Sequence, residues 1–410
     1  MKPNRLVWIF ALLILFVTIS DSIMAYVSPV YINKVFDNTL IVGLILSVSS
    51  TAGILIDLIV ARNLSKKNYR FYISIMVIFA LLFPILFLFG PHTLPVFLLG
   101  MVIWSIYYEF RDFSKFNFVH RFLPIPEHTR AWAKLIMSQA LAYVIGPTIV
   151  FFLLKISDRF PLFAAILSSV IAIFMYLVLK NLAMKVKREL PIKNVRKSTK
   201  IEFEILKTLF GRIWQIFVFG FVLVLVDVSF WTMGILLSEE LKKVSYLGGL
   251  LIIIYAVPGI YSGLIADKIY FRLGKKRTMF ISGLLSGIIL FITASTNNIY
   301  ILLLSVLFAA TTYSISWVLL NALFEDFVAR LGSTGNDMVT IHQLAVNSAY
   351  ILGPIFFGGL ATLMPLQNTF GVIGVIVAAT SVTALLTVPR KIKMPQKELR
   401  EDLATEHVKI

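Results

Sequence analysis

Two aspartates, Asp21 and Asp227, stand alone inside long apolar stretches of the chain. If the first stretch is a helix that begins at residue 6, Asp21 lies about 22 Å along it at 1.5 Å per residue. A charged aspartate near the centre of a bilayer costs at least about 2.5–3.5 kcal/mol. No Lys or Arg lies in the middle of any apolar stretch of the sequence, so neither acid has an obvious ion-pair partner. A low dielectric favours the neutral carboxyl, so each acid is a candidate to carry a proton or to receive a cationic substrate.

A packing role is the alternative for both acids. Hydroxyl groups lie close by in the sequence at Ser20, Ser22 and Ser229, and they offer hydrogen bonds that would hold a neutral carboxyl. The choice between the two roles depends on what surrounds each carboxyl.

The two acids belong to an internal repeat. The number of residues between Asp21 and Asp227 equals the number between Trp8 and Trp214. Several later pairs of matching residues are separated by nearly the same number. The later pairs are Gly53 and Gly263, Asp57 and Asp267, and Gly146-Pro147 and Gly353-Pro354. Matched halves of this size in an apolar chain are typical of secondary membrane transporters.

The composition requires a lipid environment for most of the chain. Hydrophobic residues make up 59% of the 410 residues, charged residues only 14%, and the mean hydropathy is +0.88. A soluble domain has about 25% charged residues. We predict an all-α integral membrane protein with twelve transmembrane helices in two pseudo-symmetric six-helix bundles. The apolar stretches are 6–32, 40–61, 71–90, 94–110, 133–154, 161–183, 213–237, 246–267, 278–295, 299–323, 339–363 and 368–388.

The net charge of +17 is distributed as a membrane topology would require. Most of the 38 Lys and Arg residues lie in alternate connections, starting with the N-terminal segment. This asymmetry predicts a multi-pass protein of the cell membrane with cytoplasmic N- and C-termini, and it argues against nucleic-acid binding. The intervening connections contain only Lys34, Lys155, Arg159, Lys242 and Lys243.

The same pattern predicts the domain organisation. Residues 1–183 form the N-terminal bundle, 184–211 a basic cytoplasmic linker, 212–392 the C-terminal bundle and 393–410 a cytoplasmic tail. We also predict that 199–210 lies along the membrane surface and that 111–132 is an amphipathic surface loop. Without Cys, a zinc-ligand pattern or a nucleophile elbow, we predict no enzyme, catalytic residue, metal or cofactor.

Two copies of one motif follow the second and eighth apolar stretches. They read GILIDLIVARNLSKK (53–67) and GLIADKIYFRLGKKR (263–277), and they resemble the G-x-L-a-D-r-x-G-r-K/R motif of the major facilitator superfamily. The resemblance covers about 390 residues and implies a transporter that works by alternating access. The motif residues, expected to control conformation, are Gly53, Asp57, Arg62, Gly263, Asp267, Gly274, Lys275, Lys276 and Arg277.

In that family the motif aspartate faces the N-terminal end of a neighbouring helix, whose unpaired N–H groups favour a negative charge. The resemblance therefore places Asp57 against the eleventh helix and Asp267 against the fifth, as a latch that breaks in one state. Simple interfacial anchoring is the alternative. Gly146-Pro147 and Gly353-Pro354 resemble the helix-bending pattern of the family's exporters, although ordinary helix-packing residues would look the same.

Helices 1, 4, 7 and 10 line the central cavity in this family, and here they carry several aromatic residues. Aromatic side chains with a few polar groups suit an amphipathic or weakly cationic ligand, but interfacial anchors have the same composition. The absence of a cation in mid-span argues against sugar phosphates, nucleotides and dicarboxylates. The cavity candidates, besides Asp21 and Asp227, are Tyr26, Trp104, Tyr107, Tyr108, Trp231, Tyr313, Trp317 and Asn321.

Charged residues also crowd the inner ends of helices four and ten. They are either salt-bridged gate residues or solvated helix ends, and they are Glu109, Arg111, Asp112, Glu325 and Asp326. Many proton-coupled exporters of the family have an arginine within helix four, and we predict none within this helix, which argues against a proton relay like theirs. His342 titrates near neutral pH in an unperturbed setting, but a structural role is the simpler interpretation.

These observations together predict a monomeric secondary active transporter in the lipid bilayer. The preferred function is proton-coupled efflux of a small amphipathic or cationic compound. The alternatives are an uptake symporter or facilitator for a small neutral solute, and a non-transporting membrane sensor or scaffold on the same fold.

Overall fold

The protein was analysed as a computed structural model, which describes residues 3–59, 69–123, 125–183, 199–331 and 335–389, together with 392 and 395. These residues are almost entirely helical. The α-helices are α1 (Pro3–Phe36), α2 (Thr39–Ile59), α3 (Tyr69–Phe89), α4 (Leu94–Phe122), α5 (Ile125–Leu153), α6 (Phe160–Ala183), α7 (Thr199–Ser229), α8 (Ile235–Val244), α9 (Leu251–Ala256), α10 (Pro258–Leu273), α11 (Lys275–Ser295), α12 (Ile299–Leu331), α13 (Gly335–Leu363) and α14 (Leu366–Thr387).

The helices confirm the predicted all-α membrane fold. Within the described residues, eleven helical segments are long and apolar enough to cross a bilayer. Tyr246–Ala256 and Pro258–Ile269 form the twelfth span if this pair, bent by 43° at Pro258, is counted as one. A proline at that point removes a backbone hydrogen bond, which accounts for the bend.

The seventh span contains a different irregularity. A π-helix over Phe230–Gly234 separates α7 from α8 and begins three residues after Asp227. A π-helical turn inside an α-helix is frequently found at functional sites. The seventh span therefore changes its helical register close to Asp227.

The described residues of 111–132 are helical except Leu123, so the surface loop predicted there is wrong. α4 continues to Phe122 and α5 begins at Ile125. Charged and aromatic residues are compatible with helix here because Asp112 pairs with Arg111 and Lys115 and the rings pack, as Phe118 does on Phe10 with ring centroids 4.1 Å apart. Pro126 lies in the first turn of α5, where a missing N–H removes no helical bond.

The segment 199–210 likewise differs from the prediction. It forms the first turns of α7 and is continuous with the span, and its apolar positions Ile205 and Leu209 are fully buried. These residues pack in a protein core, so the segment is not a separate surface helix.

The chain forms two compact units. The first consists of Met1–Ile192, Phe230–Ile260 and Pro354–Leu366, and the second of Lys193–Ser229, Tyr261–Gly353 and Gln367–Ile410. Both units are discontinuous in sequence, because α13 and the seventh and eighth spans each contribute to both.

The first unit is held together by close approaches as well as by its aromatic core. Tyr26 of α1 donates a hydrogen bond to Glu239 of α8 at 2.6 Å, and Thr39 donates to the carbonyl of Gly358 at 2.9 Å. Gly146 of α5 lies against the Ser22 side chain and the backbone of the next residue in α1, where a Cβ atom would overlap both.

In the second unit Gly353 of α13 lies against Val228 of α7 in the corresponding way. The two Gly-Pro sites therefore each pack against the residue that follows an aspartate. Small residues allow this approach of two helix backbones.

We expect Gly146→Ala to lower the unfolding temperature, because overpacking of a closely fitted contact costs about 1–3 kcal/mol. Intrinsic tryptophan fluorescence of the purified protein during heating measures it. Gly211→Ala is the matched control, since this helical glycine has no neighbouring atom within 4 Å and alanine is the better helix former. Equal unfolding temperatures for the two variants would contradict the predicted close approach.

Candidate functional site

Asp21 is the centre of a buried polar cluster in the first unit. Trp104 of α4 donates its indole N–H to Oδ1 at 2.7 Å. Arg111 of α4 and Tyr143 of α5 donate to Oδ2 at 3.2 and 3.0 Å. The side chains of Asp21 and Arg111 are only 1% and 5% exposed. The carboxylate thus accepts hydrogen bonds from three donors on two neighbouring helices.

The Asp21–Arg111 ion pair corrects two predictions. Asp21 has a cationic partner within the span, and helix four carries an arginine that lies inside the membrane-spanning segment Leu94–Val119. Both predictions assumed that the span ends at residue 110. α4 continues beyond that point, and helical side chains lean towards the N-terminus, so the guanidinium reaches back into the span.

The serines do not hold the two carboxyls. Ser22 donates to the carbonyls of Ile19 and Ala142, and Ser229 donates to the carbonyl of Val226. Ser20 accepts a hydrogen bond from Ser169 of α6 at 2.9 Å. These hydroxyls satisfy helix backbones and a helix contact.

Arg111 begins a row of alternating charges along α4. Its Nε lies 3.5 Å from Asp112 Oδ1, and Lys115 Nζ lies 2.7 Å from the same oxygen. Lys115 also donates to Gln139 of α5 at 3.2 Å. With Asp21 ionised, the row of two carboxylates and two cations is neutral overall, which lowers the cost of its burial.

Aromatic side chains cover the ion pair. The guanidinium carbon of Arg111 lies 3.9 Å from the Tyr108 ring centroid, and Tyr107 accepts a hydrogen bond from Arg111 at 3.4 Å. The hydroxyls of Tyr108 and Tyr143 are 2.8 Å apart, and the Tyr143 ring packs on Trp231 with centroids separated by 5.3 Å. A hydrogen-bonded path therefore leads from the partly exposed tyrosines to the buried carboxylate.

The predicted cavity residues divide between the two units. Trp104, Tyr107, Tyr108 and Trp231 lie around Asp21, whereas Tyr26 lies farther along α1 at Glu239. In the second unit Tyr313 is buried, Asn321 donates to the carbonyl of Trp317, and Trp317 packs on His342 with centroids 5.7 Å apart.

Sequence reasoning missed Tyr143, because it lies on helix five and not on an expected cavity helix. The repeat contains the signal that would have found it. Tyr143 and Tyr350 each precede a Gly-Pro pair by three residues, and Tyr350 donates a hydrogen bond to Asp227. The acid–tyrosine pair is therefore repeated in the second unit.

The two copies of the acid–tyrosine pair differ at the position that Arg111 occupies in the first. The sequence Phe-Arg-Asp-Phe at 110–113 matches Phe-Glu-Asp-Phe at 324–327, so Glu325 stands where Arg111 would be expected. Glu325 is exposed, and Asp326 pairs with Lys275 at 2.8 Å. Of the proposed gate residues, Arg111 and Asp112 join the Asp21 cluster, and Asp326 forms a separate pair.

The first copy of the conformational motif lies next to the charge row. The Glu109 carboxyl lies over Gly53, where a Cβ would approach Oε1 to 2.7 Å, and it lies beside the Asp57 carboxyl. Arg62 lies outside the described residues. The predicted contact of Asp57 with the eleventh helix stays a prediction.

In the second copy, Gly263 and Asp267 are exposed. Gly274 has φ 82° and ψ 145°, a conformation that glycine adopts without strain, and it precedes the start of α11. Lys276 donates to the carbonyl of Pro389, and Arg277 is exposed. The predicted contact of Asp267 with the fifth helix also stays a prediction.

We expect Arg111→Gln to destabilise the protein strongly, because removal of one partner from a buried pair leaves an uncompensated charge and costs about 3–5 kcal/mol. Asp21→Asn/Arg111→Gln removes both charges and should recover much of that loss in the unfolding temperature. The exposed pair Lys34–Asp158 is the control, and its single variants should change stability by about 1 kcal/mol or less. Additive losses in the double variant would contradict the ion pair.

Comparison with known proteins identifies the family. The model of the Major Facilitator Superfamily matches residues 116–336 and 249–408, which together cover more than half of the chain. A sequence search of curated proteins finds no significant match.

Solved structures share the fold at low sequence identity. A POT family transporter in complex with a thioalcohol-conjugated peptide has a TM-score of 0.76 at 12% identity, covering 94% of this chain and 96% of that one. The nucleoside transporter NupG gives 0.71 at 13%, covering 98% and 99%. A bacterial homologue of the human lysosomal transporter Spinster gives 0.66 at 15%, with the same coverage. The chain therefore belongs to the Major Facilitator Superfamily and is a secondary transporter of that fold.

Proposed function

We propose that this transporter couples the movement of a small amphipathic compound to the movement of protons, with Asp21 as the proton-binding group and efflux as the physiological direction. The observation that carries the proposal is the contact set of Asp21, a buried carboxylate that is paired with one cation and reached through a tyrosine hydroxyl.

The path to Asp21 makes proton exchange possible without exposing the acid. Tyr143 donates to the Asp21 carboxylate, and its oxygen lies within hydrogen-bond distance of the Tyr108 hydroxyl. Both tyrosines are partly exposed. A proton can therefore reach the carboxylate by exchange along hydroxyl groups.

Protonation of Asp21 has a direct structural consequence. It removes the charge that holds Arg111 and leaves the cation with Asp112, which already pairs with Lys115. The α1–α4 contact therefore has two arrangements that a proton selects between, which is what a coupled transporter needs.

The surroundings of Asp21 favour an amphipathic substrate over a simple cation at this acid. Arg111 already neutralises the carboxylate and repels a second cation, while Tyr108, Tyr143 and Trp231 present aromatic surface. A cationic compound remains a candidate ligand for the Asp227–Tyr350 pair. The support for efflux is the resemblance of Gly146-Pro147 and Gly353-Pro354 to the helix-bending pattern of the family's exporters.

The proposed arrangement in the membrane follows the predicted topology. Residues 1–183 and 212–392 act as the two bundles of an alternating-access cycle, 184–211 connects them, and both termini face the cytoplasm. We propose a monomer, since each predicted half contains one acid–tyrosine pair.

We expect compound-dependent proton movement in proteoliposomes that contain the wild-type protein and an internal pH-sensitive dye. A panel of aromatic acids, amides and amines is added under an imposed pH gradient. Asp21→Asn should abolish the proton movement because it has no carboxyl to titrate, whereas Asp158→Asn, at an exposed pair, should retain it.

Equal gradient-driven transport by the wild type and Asp21→Asn/Asp227→Asn would rule out coupling through these acids. Reversal of the gradient distinguishes efflux from uptake. Transport of a compound that does not depend on the proton gradient indicates a facilitator. If none of the compounds is transported, the protein is a sensor or scaffold.

Tyr143→Phe tests the path to Asp21. It keeps the ring against Trp231 but removes the hydroxyl that joins Tyr108 to the carboxylate. We expect proton-coupled transport to fall about a hundredfold or more, the lower end of the range for a lost proton-transfer group, with little change in thermal stability. Undiminished coupled transport would show that protons reach Asp21 by another route.

A further inference from the structure

We propose that the protonated Asp21 site binds a substrate with one carboxylate-like anionic group beside an apolar, aromatic body, and that Arg111 holds the anionic group. This inference rests on the proposed coupling at Asp21 and adds the substrate class. It makes the proton and the substrate move together, so an inward proton gradient drives uptake, and efflux follows an outward gradient of the compound. The sequence argument against sugar phosphates, nucleotides and dicarboxylates assumed that no cation lay within a span, and Arg111 removes that assumption.

The first argument is the balance of charge. Two carboxylates, Asp21 and Asp112, face two cations, Arg111 and Lys115. A proton on Asp21 leaves one excess positive charge in a buried cluster, which is unfavourable in a low dielectric. One anionic group on the substrate restores neutrality, whereas a cationic group would add to the excess.

The neighbouring titratable groups do not take the place of Asp21 at the guanidinium. The tyrosines around the pair, Tyr107, Tyr108 and Tyr143, are neutral at ordinary pH. The carboxyl groups of Asp57 and Glu109 lie beside each other, and such a pair keeps one negative charge if it shares one proton. Among the described residues, Arg111 forms ion pairs with Asp21 and Asp112 and none with Glu109. The helices α3 and α6 contribute Phe83 and Ser169, which carry no charge, next to the Asp21 region.

The second argument is the geometry of the donors. The indole N–H of Trp104, the hydroxyl of Tyr143 and a terminal N–H of Arg111 converge on the two oxygens of one carboxylate, that of Asp21. Protonation weakens all three interactions, because a neutral carboxyl is a poorer acceptor. The same donors then suit a carboxylate that arrives from the substrate.

A small cavity borders Asp21 on the side of α3. A neutral carboxyl that turns away from Arg111 would turn towards this cavity. The cavity is lined by Ser20, Asp21, Met24, Ala80, Phe83, Trp104 and Tyr107.

The surroundings define the rest of the substrate. Tyr108, Tyr143 and Trp231 are partly exposed and lie beside the ion pair, so they suit an aromatic or branched apolar body. Lys115 is engaged by Asp112 and Gln139, which leaves Arg111 as the cation that a substrate can reach in this cluster. The site therefore favours a monoanion over a dianion.

The experiment compares probes that differ only in their polar end: 3-phenylpropionate, 3-phenylpropanesulfonate, 3-phenylpropionamide and 3-phenylpropylamine. Their binding to the purified full chain is measured from the rise in unfolding temperature with concentration. The titrations run between about pH 5.5 and about pH 8, where the two anions stay almost fully ionised.

We expect the two anions to bind wild type about tenfold or more tightly than the amide at the acidic end, since a charge-assisted hydrogen bond is at stake. Their affinity should fall as the pH rises, because Asp21 then ionises and recaptures Arg111. Asp21→Asn should keep tight anion binding across the range. Arg111→Gln should lose it, and Arg111→Lys should weaken it by loss of the forked donor set.

Equal binding of anion and amide, tightest binding of the amine, or no stabilisation by either anion would each overturn the proposal. The wild-type comparison suffices if the Arg111 variants fail to fold. Failure of the proposed function gives a different result. If Asp21→Asn binds anions selectively and with the same pH dependence as the wild type, the anion site stands and the role of Asp21 as the proton-binding group is refuted. Proton-coupled transport of amides or amines alone would leave the coupling and remove the anion site.

Discussion

The ion pair between Asp21 and Arg111 is the interaction on which the rest of the site depends. Each group would be costly within a membrane-spanning segment by itself, and together they are neutral. Their pairing determines where Trp104 and Tyr143 direct their donors, because both reach the same carboxylate. It also connects α1 with α4, so a change in the charge of one side chain alters a contact between two helices.

The internal repeat places a similar but not identical acid–tyrosine pair in the second unit. Asp227 and Tyr350 reproduce the acid–tyrosine hydrogen bond, and the neighbouring glycine again packs against the residue after the acid. The position of Arg111 is occupied by an exposed Glu325. The two acid–tyrosine pairs thus have different charged neighbours, an arginine in the first copy and a glutamate at the matching position of the second.

Much of the fold could be predicted from the sequence, because apolar stretches of about 20 residues identify membrane helices and the motifs at Asp57 and Asp267 identify the family. The site could be predicted only in part. Asp21 was found as an isolated acid, but Arg111 was assigned to a loop, because a window of apolar residues ends where the first charges appear. Hydropathy does not show that a helix continues or that a long side chain returns into the span.

Tyr143 was missed for another reason: its role depends on which helices are neighbours in space. The positions of Tyr143 and Tyr350 before their Gly-Pro pairs contain that information, but a pattern of spacing has meaning only when a contact such as the one with Asp21 is known. The corrections thus concern side-chain partners and the extent of helices at 111–132 and 199–210, while the order of the predicted spans agrees with the sequence.

The central claim is that Asp21 is ionised beside Arg111 and takes up a proton when the site is acidified. Infrared difference spectroscopy of the protein in lipid, recorded between alkaline and acidic pH, measures this directly through the C=O stretching band of a protonated carboxyl. The account predicts a band that appears on acidification in the wild type and is missing in Asp21→Asn. Identical difference spectra for the two proteins would contradict it.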